Sequence, residues 1–161
     1  IDYFPHHQEM GEQLAVEVLR RLRFDNETVR RVRLLVRWHD VILEPQAEAV
    51  RRAVSQLGRE LFPLYLQVRR ADILAQRPLR RQEKLSELAR VEELFAQILE
   101  RGDCLAVKEL AVNGKDLMAL GLKPGPGLGE TLERLLDLVL EDPQRNTREY
   151  LLKTARDIPI R

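Results

Sequence analysis

The stretch "NGKDLMALGLKPGPGLG", residues 113–129, runs directly into "ETLERLLDLVLED", residues 130–142. Apolar residues at helical spacing stand on both sides of a turn that concentrates Gly121, Gly125, Gly127 and Gly129 with Pro124 and Pro126. This reads as two helices joined by a helix–hairpin–helix-like turn. Glycine permits backbone conformations that other residues avoid, and lets a ligand come close to the peptide N–H groups. Those N–H groups open a helix, where the dipole end favours an anion. Lys115 and Lys123 flank the turn. The candidate phosphate-binding residues are therefore Lys115, Lys123, Gly125, Gly127 and Gly129. Such a site touches backbone phosphates and carries no base sequence information. A Gly/Pro-rich connector with no ligand explains the same residues, and on physics alone the two readings stand even.

Working outward, the rest of the chain is also helical in pattern. "EMGEQLAVEVLRRLRF" sets Met10, Leu14, Val18 and Leu22 four residues apart, and Asp25 or Asn26 can cap the helix carrying Val29, Val32, Leu35 and Val36. Pro45 and Gly58 bracket a third helix, Pro63 sits in the first turn of a fourth, and a fifth ends at Gly102. No stretch alternates apolar and polar residues as a half-buried strand would. The expected class is all-α. The Gly/Pro content rises after Gly102, which places a boundary between a body, 1–102, and a small C-terminal unit, 103–161.

The 161 residues can bury one good core, and 33% of them are charged. No apolar run is long enough for a transmembrane helix, and no signal-peptide pattern is present, so a cytoplasmic location without a membrane partner is expected. The lone Cys104 reads as a small packing residue. The chain opens on Ile1, which reads as a segment of a longer protein. Net charge is +1, yet base is concentrated between Arg20 and Arg37. Within it Arg30, Arg33 and Arg37 fall on roughly one helical face, suited to phosphate. A solvated charged face is the competing reading.

"LLVRWHDVILEP", residues 34–45, raises a different chemistry. The adjacent His39-Asp40 pair, with His6 or His7 upstream and Asp72 downstream, is the kind of ligand set from which HD-type metal phosphohydrolases build a site. Only three histidines exist, and Val41-Ile42-Leu43 follow the pair where active members carry Gly-Lys. The HD-type phosphohydrolase is thus an alternative, with His39 as a polar helix-end residue beside Trp38 as the plainer reading.

Residues 110–155, "LAVNGKDLMALGLKPGPGLGETLERLLDLVLEDPQRNTREYLLKTA", resemble the C-terminal region of bacterial CCA-adding tRNA nucleotidyltransferases and their poly(A) polymerase relatives. The matching features run in order: Asn113-Gly114, Asp116-Leu117, Leu120-Gly121, Pro124-Gly125-Pro126, Gly129, a long apolar helix, Asn146 and Leu151-Leu152. Upstream, "YFPHHQEMGEQLAVEVLRRLRF" resembles the family's Phe-x-x-His-x-x-x-Gly segment, "VRLLVRWH" a helix ending in His, and "RRADILAQ" an Ala-Asp helix. The resemblance implies an HD-like helical body and a tRNA-binding tail. It also implies that the HD doublet proper lies upstream of this chain. His7, His39 and Asp72 would then be a residual site for a divalent metal that the chain does not require. The family's nucleotidyl transfer uses a Gly-Ser turn and paired carboxylates holding Mg in a head. The chain has neither Gly-Ser nor Asp-x-Asp. The expected function is the tRNA-binding part of such an enzyme, with tRNA as partner and a homodimer as one permitted assembly.

Overall fold

Residues 7–76, 78 and 80–158 are described by a computed structural model. Every regular element among them is helical: α1 His7–Arg21, α2 Asn26–Trp38, α3 Ala47–Leu57, α4 Phe62–Ala75, α5 Arg81–Arg101, α6 Gly114–Ala119, α7 Pro126–Glu141 and α8 Arg148–Asp157. The all-α expectation holds. No helix among the described residues is long and apolar enough to cross a membrane.

The ends of the helices follow from local chemistry. Asp25 caps α2: its Oδ1 accepts the Thr28 N–H at 2.9 Å and its Oδ2 the Thr28 hydroxyl at 2.6 Å. Pro63 lies in the first turn of α4, where its missing N–H costs nothing. Three helices close with the same pair of backbone hydrogen bonds, the Schellman arrangement. In α5 Gly102 N–H reaches Leu99 O and Asp103 N–H reaches Ile98 O; in α6 Gly121 N–H reaches Met118 O and Leu122 N–H reaches Leu117 O. Gly102 and Gly121 hold the left-handed position, with φ of 67° and 97°. In α1 Arg23 N–H reaches Arg20 O and Phe24 N–H reaches Leu19 O. There the left-handed residue is Arg23, at φ 60°.

The chain divides into two compact units: Ile1–Pro45 with Leu57–Glu93, and Gln46–Gln56 with Leu94–Arg161. This partition is not a cut at 102/103, because most of α3 belongs with the C-terminal elements and α5 is shared.

In the first unit α1 and α2 form a hairpin, and α4 packs on α2. Gly11 permits the close approach of the hairpin, since a Cβ there would stand 3.3 Å from Val36 Cγ1. Phe62, Tyr65, Leu66 and Ile73 of α4 are buried at helical spacing. Trp38 meets Tyr65 edge-on at 6.0 Å between ring centroids. The Tyr65 hydroxyl donates to Val41 O at 2.7 Å.

In the second unit α7 is central. Its Leu135, Leu136, Val139 and Leu140 are buried, and α6 and α8 pack against it. Leu117 of α6 and Leu151 of α8 are fully enclosed, each contributing roughly 2 kcal/mol by burial. Cys104 is buried as a packing residue. Gly114 lies so near α7 that a Cβ would meet Leu128 Cδ2 at 3.0 Å.

Candidate nucleic-acid interface

The turn between α6 and α7 is built by asymmetry of its two helix starts. α6 closes its own start. Asn113 Oδ1 accepts the N–H groups of Lys115 (2.9 Å) and Asp116 (3.3 Å), and Asp116 Oδ2 accepts the Asn113 N–H at 2.9 Å. Asp116 also binds Arg148 of α8 at 2.7 Å. These bonds, the Arg148 bond first, hold its carboxyl below the usual carboxylate range.

α7 has no such closure. Its N-cap is Gly125, which offers no side chain. Pro126 has no N–H, and the Leu128 N–H turns back to Gly125 O at 3.1 Å. The Gly127 N–H has no acceptor among the described residues. It opens beside a hollow of about 370 Å³ lined by the segment from Gly121 to Leu128, Lys123 included. A helix start with an open donor, a lysine beside it and no carboxylate in the lining can accept an anion.

The glycines differ from their sequence reading. Only Gly125 of the three candidates takes a positive φ, at 152°. Gly127 and Gly129 lie within α7 in helical conformation, so a side chain at Gly127 would not force an unfavourable φ. Helix α7 begins sooner than the glycine count suggested because Pro126 is preset for a first helical position. Lys115 is exposed, but its own N–H is taken by Asn113.

The basic face of α2 is partly neutralised in place, with two carboxylates for its three arginines. Arg30 makes a two-pronged bond to Glu27 at 2.8 and 2.9 Å. Arg33 and Arg37 both reach Glu12 of α1, at 3.3 and 3.9 Å. The three arginines are exposed, but each already has a carboxylate partner.

At the metal candidates, the imidazole Nδ1 of His39 donates to Val36 O at 2.5 Å, and its Nε2 lies 3.6 Å from Asp40 Oδ1. The buried Arg69 guanidinium donates from Nη1 to His39 O at 2.8 Å and to Asp72 Oδ2 at 3.1 Å. Gln76 Nε2 donates to the same Asp72 oxygen at 2.8 Å. Asp72 Oδ2 is thus engaged by a cation and an amide. His6 and the side chain of His7 lie outside the described residues. Among the described residues no group of three His, Cys, Asp or Glu side chains could hold a metal ion.

Comparison with known proteins decides the family. The family model for tRNA nucleotidyltransferase domain 2 matches residues 4–155. The chain belongs to this family. As a member of the tRNA nucleotidyltransferase family it is 35% identical over 142 residues to an A-adding tRNA nucleotidyltransferase of Deinococcus radiodurans, covering 83% of this chain and 31% of the relative. It is 35% identical over 153 residues to a CC-adding tRNA nucleotidyltransferase of Thermus thermophilus, covering 92% of this chain and 33% of the relative. A CCA-adding enzyme of Latilactobacillus sakei is 47% identical over 64 residues, covering 38% of this chain and 16% of the relative. The chain thus spans about a third of the length of the two relatives it matches most broadly. No solved structure gives a significant match.

Sequence reasoning missed Asp116 and Arg148 as the pair that joins the starts of α6 and α8 in this nucleotidyltransferase-family chain. The signal was present in part: Asn113-x-x-Asp116 has the spacing of a capping box. Arg148, 32 positions further on, had no such mark.

Proposed function

We propose that this chain is the part of a tRNA nucleotidyltransferase that holds tRNA, with the nucleotidyl-transfer head lying outside these 161 residues. The observation that carries this is the uncapped start of α7, where the Gly127 N–H and Lys123 face one hollow while α6 is closed by its own side chains. The site suits an RNA phosphate held by backbone N–H and ammonium groups. A second line of support comes from the relatives. The A-adding and CC-adding enzymes differ in the nucleotide they add, yet each is 35% identical to this chain. A region equally similar to both suits a task they share, which is gripping the tRNA. The chain contains no Gly-Ser and no Asp-x-Asp, so the transfer step itself is not assigned to it.

The test is a titration of folded tRNA against the wild-type chain, Lys123→Ala and Gly129→Leu at several salt concentrations. Gly129 is exposed, one residue past the lining of the hollow, and a Cβ there would meet no atom within 4 Å beyond its neighbours and its own helix backbone, so a leucine there crowds an approaching ligand without meeting another element at its Cβ. Lys123→Ala is expected to weaken binding by roughly fivefold and to lower the salt slope by about one unit. Gly129→Leu should weaken binding with helical content unchanged. Wild-type affinity in both variants would reduce the turn to a connector.

A further inference from the structure

We propose that the tip of the α1–α2 hairpin, Arg20 to Phe24, is a second RNA contact, in which Arg20, Arg21 and Arg23 take phosphates and the Phe24 ring stacks on an unpaired base. This rests on the reading of the chain as a tRNA-holding module. It concerns the other compact unit, and residues that the basic-face reading did not select.

The first ground is the distribution of charge that the structure leaves uncompensated. The basic segment from Arg20 to Arg37 holds seven arginines. Arg30, Arg33 and Arg37 have carboxylate partners in Glu27 and Glu12. Arg20, Arg21 and Arg23 have no ion pair or side-chain hydrogen bond among the described residues, and all three are exposed. The nearby acids are committed or apart. Asp25 is bonded to Thr28 and Glu27 to Arg30, while Glu17 stands one turn back on α1 without an ion pair to either arginine. Three arginines without a carboxylate therefore crowd the hairpin tip, whereas on α2 the uncompensated charge is Arg31 and the excess of Arg33 and Arg37 over the Glu12 they share.

The second ground is Arg23 itself. Helices α1, α5 and α6 end in the same hydrogen-bonded motif. At α5 and α6 its left-handed position is filled by Gly102 and Gly121, for which the conformation is free of steric cost. At α1 it is filled by an arginine at φ 60°, a conformation that L-residues with long side chains rarely take. Arg80 is the other non-glycine with positive φ, and its guanidinium is held at 2.7 and 2.8 Å by Glu83. Arg23 has no such partner among the described residues. A strained position kept by a side chain with no ion pair or hydrogen bond among the described residues points to a ligand outside the chain.

The third ground is the neighbour. Phe24 is 49% exposed, and Leu22 is 60% exposed. Arginines beside an exposed aromatic ring form the combination that grips unpaired nucleotides: charge for the backbone, a π-face for the base. Arg20 and Arg21, in the last turn of α1, also favour the negative end of that helix. That role accounts for neither Arg23, which lies past the helix end, nor the exposed ring.

The test separates fold from binding through one substitution with opposite effects. Arg23→Gly relieves the left-handed strain, so the thermal midpoint should hold or rise. The same change should weaken tRNA binding by roughly fivefold and lower the salt slope by about one unit. Arg23→Lys should keep the slope. Phe24→Leu, which retains apolar bulk but not the ring, should weaken tRNA roughly tenfold and leave a fully paired RNA duplex unaffected. Wild-type tRNA affinity in both Arg23→Gly and Phe24→Leu overturns the proposal, and would be the outcome if the tip docked an acidic protein segment instead. If these two bind normally while Lys123→Ala and Gly129→Leu do not, the tRNA-holding reading stands and the hairpin contact alone falls. A wild-type chain without affinity for tRNA overturns both.

Discussion

Arg51 and Arg52 are adjacent arginines on one helix, and the structure gives them opposite weight. Arg51 is 5% exposed. Its Nε donates to Leu140 O at 2.6 Å, its Nη2 to Glu141 O at 2.8 Å, and its Nη1 lies 3.4 Å from Asp103 Oδ2. These carbonyls are the last of α7, whose final turn carries no basic residue of its own. Arg51 thus brings to α7, from α3, the cation that its negative end lacks. Arg52 bonds Glu48 at 2.9 Å and Asp137 at 3.0 Å, but its side chain is 39% exposed. Removing Arg51 leaves two carbonyls and the buried Asp103 short of a donor, with Arg101 still 3.3 Å from that carboxylate. Arg51→Ala should therefore cost about 3 kcal/mol of unfolding free energy, and Arg52→Ala less than about 1 kcal/mol. Urea denaturation of the two variants measures the difference, and equal losses would refute the assignment. Arg51→Lys should recover only part, since an ammonium lacks the planar fork. None of this was legible in the sequence. Two like residues one position apart differ only in which face is buried, and that is decided by elements some ninety residues away.

At the scale of the element, the turn was legible in outline and its interior was not. Gly/Pro density marked the α6–α7 junction, and Asn113-x-x-Asp116 marked the start of α6. Which glycines matter conformationally depends on φ, and φ is not written in composition. Gly125 and Gly129 make the point, because a Cβ on either would meet nothing within 4 Å. Space does not distinguish them; backbone does. Gly125 sits at φ 152° and ψ −174°, a region that only glycine occupies without strain. Gly129 is helical. Gly125→Ala should lower stability by roughly 1–3 kcal/mol, whereas Gly129→Ala should raise it by up to about 1 kcal/mol through helix propensity. Thermal melts of the two single variants check the signs. Two losses of similar size would mean that the space around both sites, and not the backbone, sets the cost. The Schellman closures were half legible in the same way: Gly102 and Gly121 announce their helix ends, while Arg23 hides an identical one.

For the whole molecule, helical periodicity and capping residues were sufficient to read an all-α chain, because each helix carries its own signals. The partition into two units was not readable. Composition shifts at Gly102, but Arg51 and Arg52 bind α7 to α3, so most of the third helix belongs with the C-terminal elements. Family membership was carried by ordered motifs along nearly the whole chain and matches residues 4–155. The titrating groups set a pH range for the stability of this assembly. Asp25, Glu27, Glu83 and Asp116 have carboxyl pKa values lowered by hydrogen bonds, to Thr28, Arg30, Arg80 and Arg148 respectively. A lowered folded-state pKa gives stability that is present above the unfolded value, about 4, and is lost as pH falls through the folded one. These carboxylates are at the surface, so added salt should flatten the acid limb. Tyr65 behaves in the opposite sense. Burial raises its hydroxyl from 10.0 to about 12, against the opposing pull of the Arg69 cation. The folded state keeps a proton that the unfolded state surrenders, so stability is complete below about 10 and falls as pH rises toward the folded value. Tyr65→Phe should lower the neutral plateau by about 1 kcal/mol through loss of the bond to Val41 O, and it should also flatten the alkaline limb. Urea midpoints across the pH range, with and without salt, would show a salt-sensitive acid limb and an alkaline limb that depends on Tyr65; an alkaline limb identical in wild type and Tyr65→Phe would place its origin elsewhere.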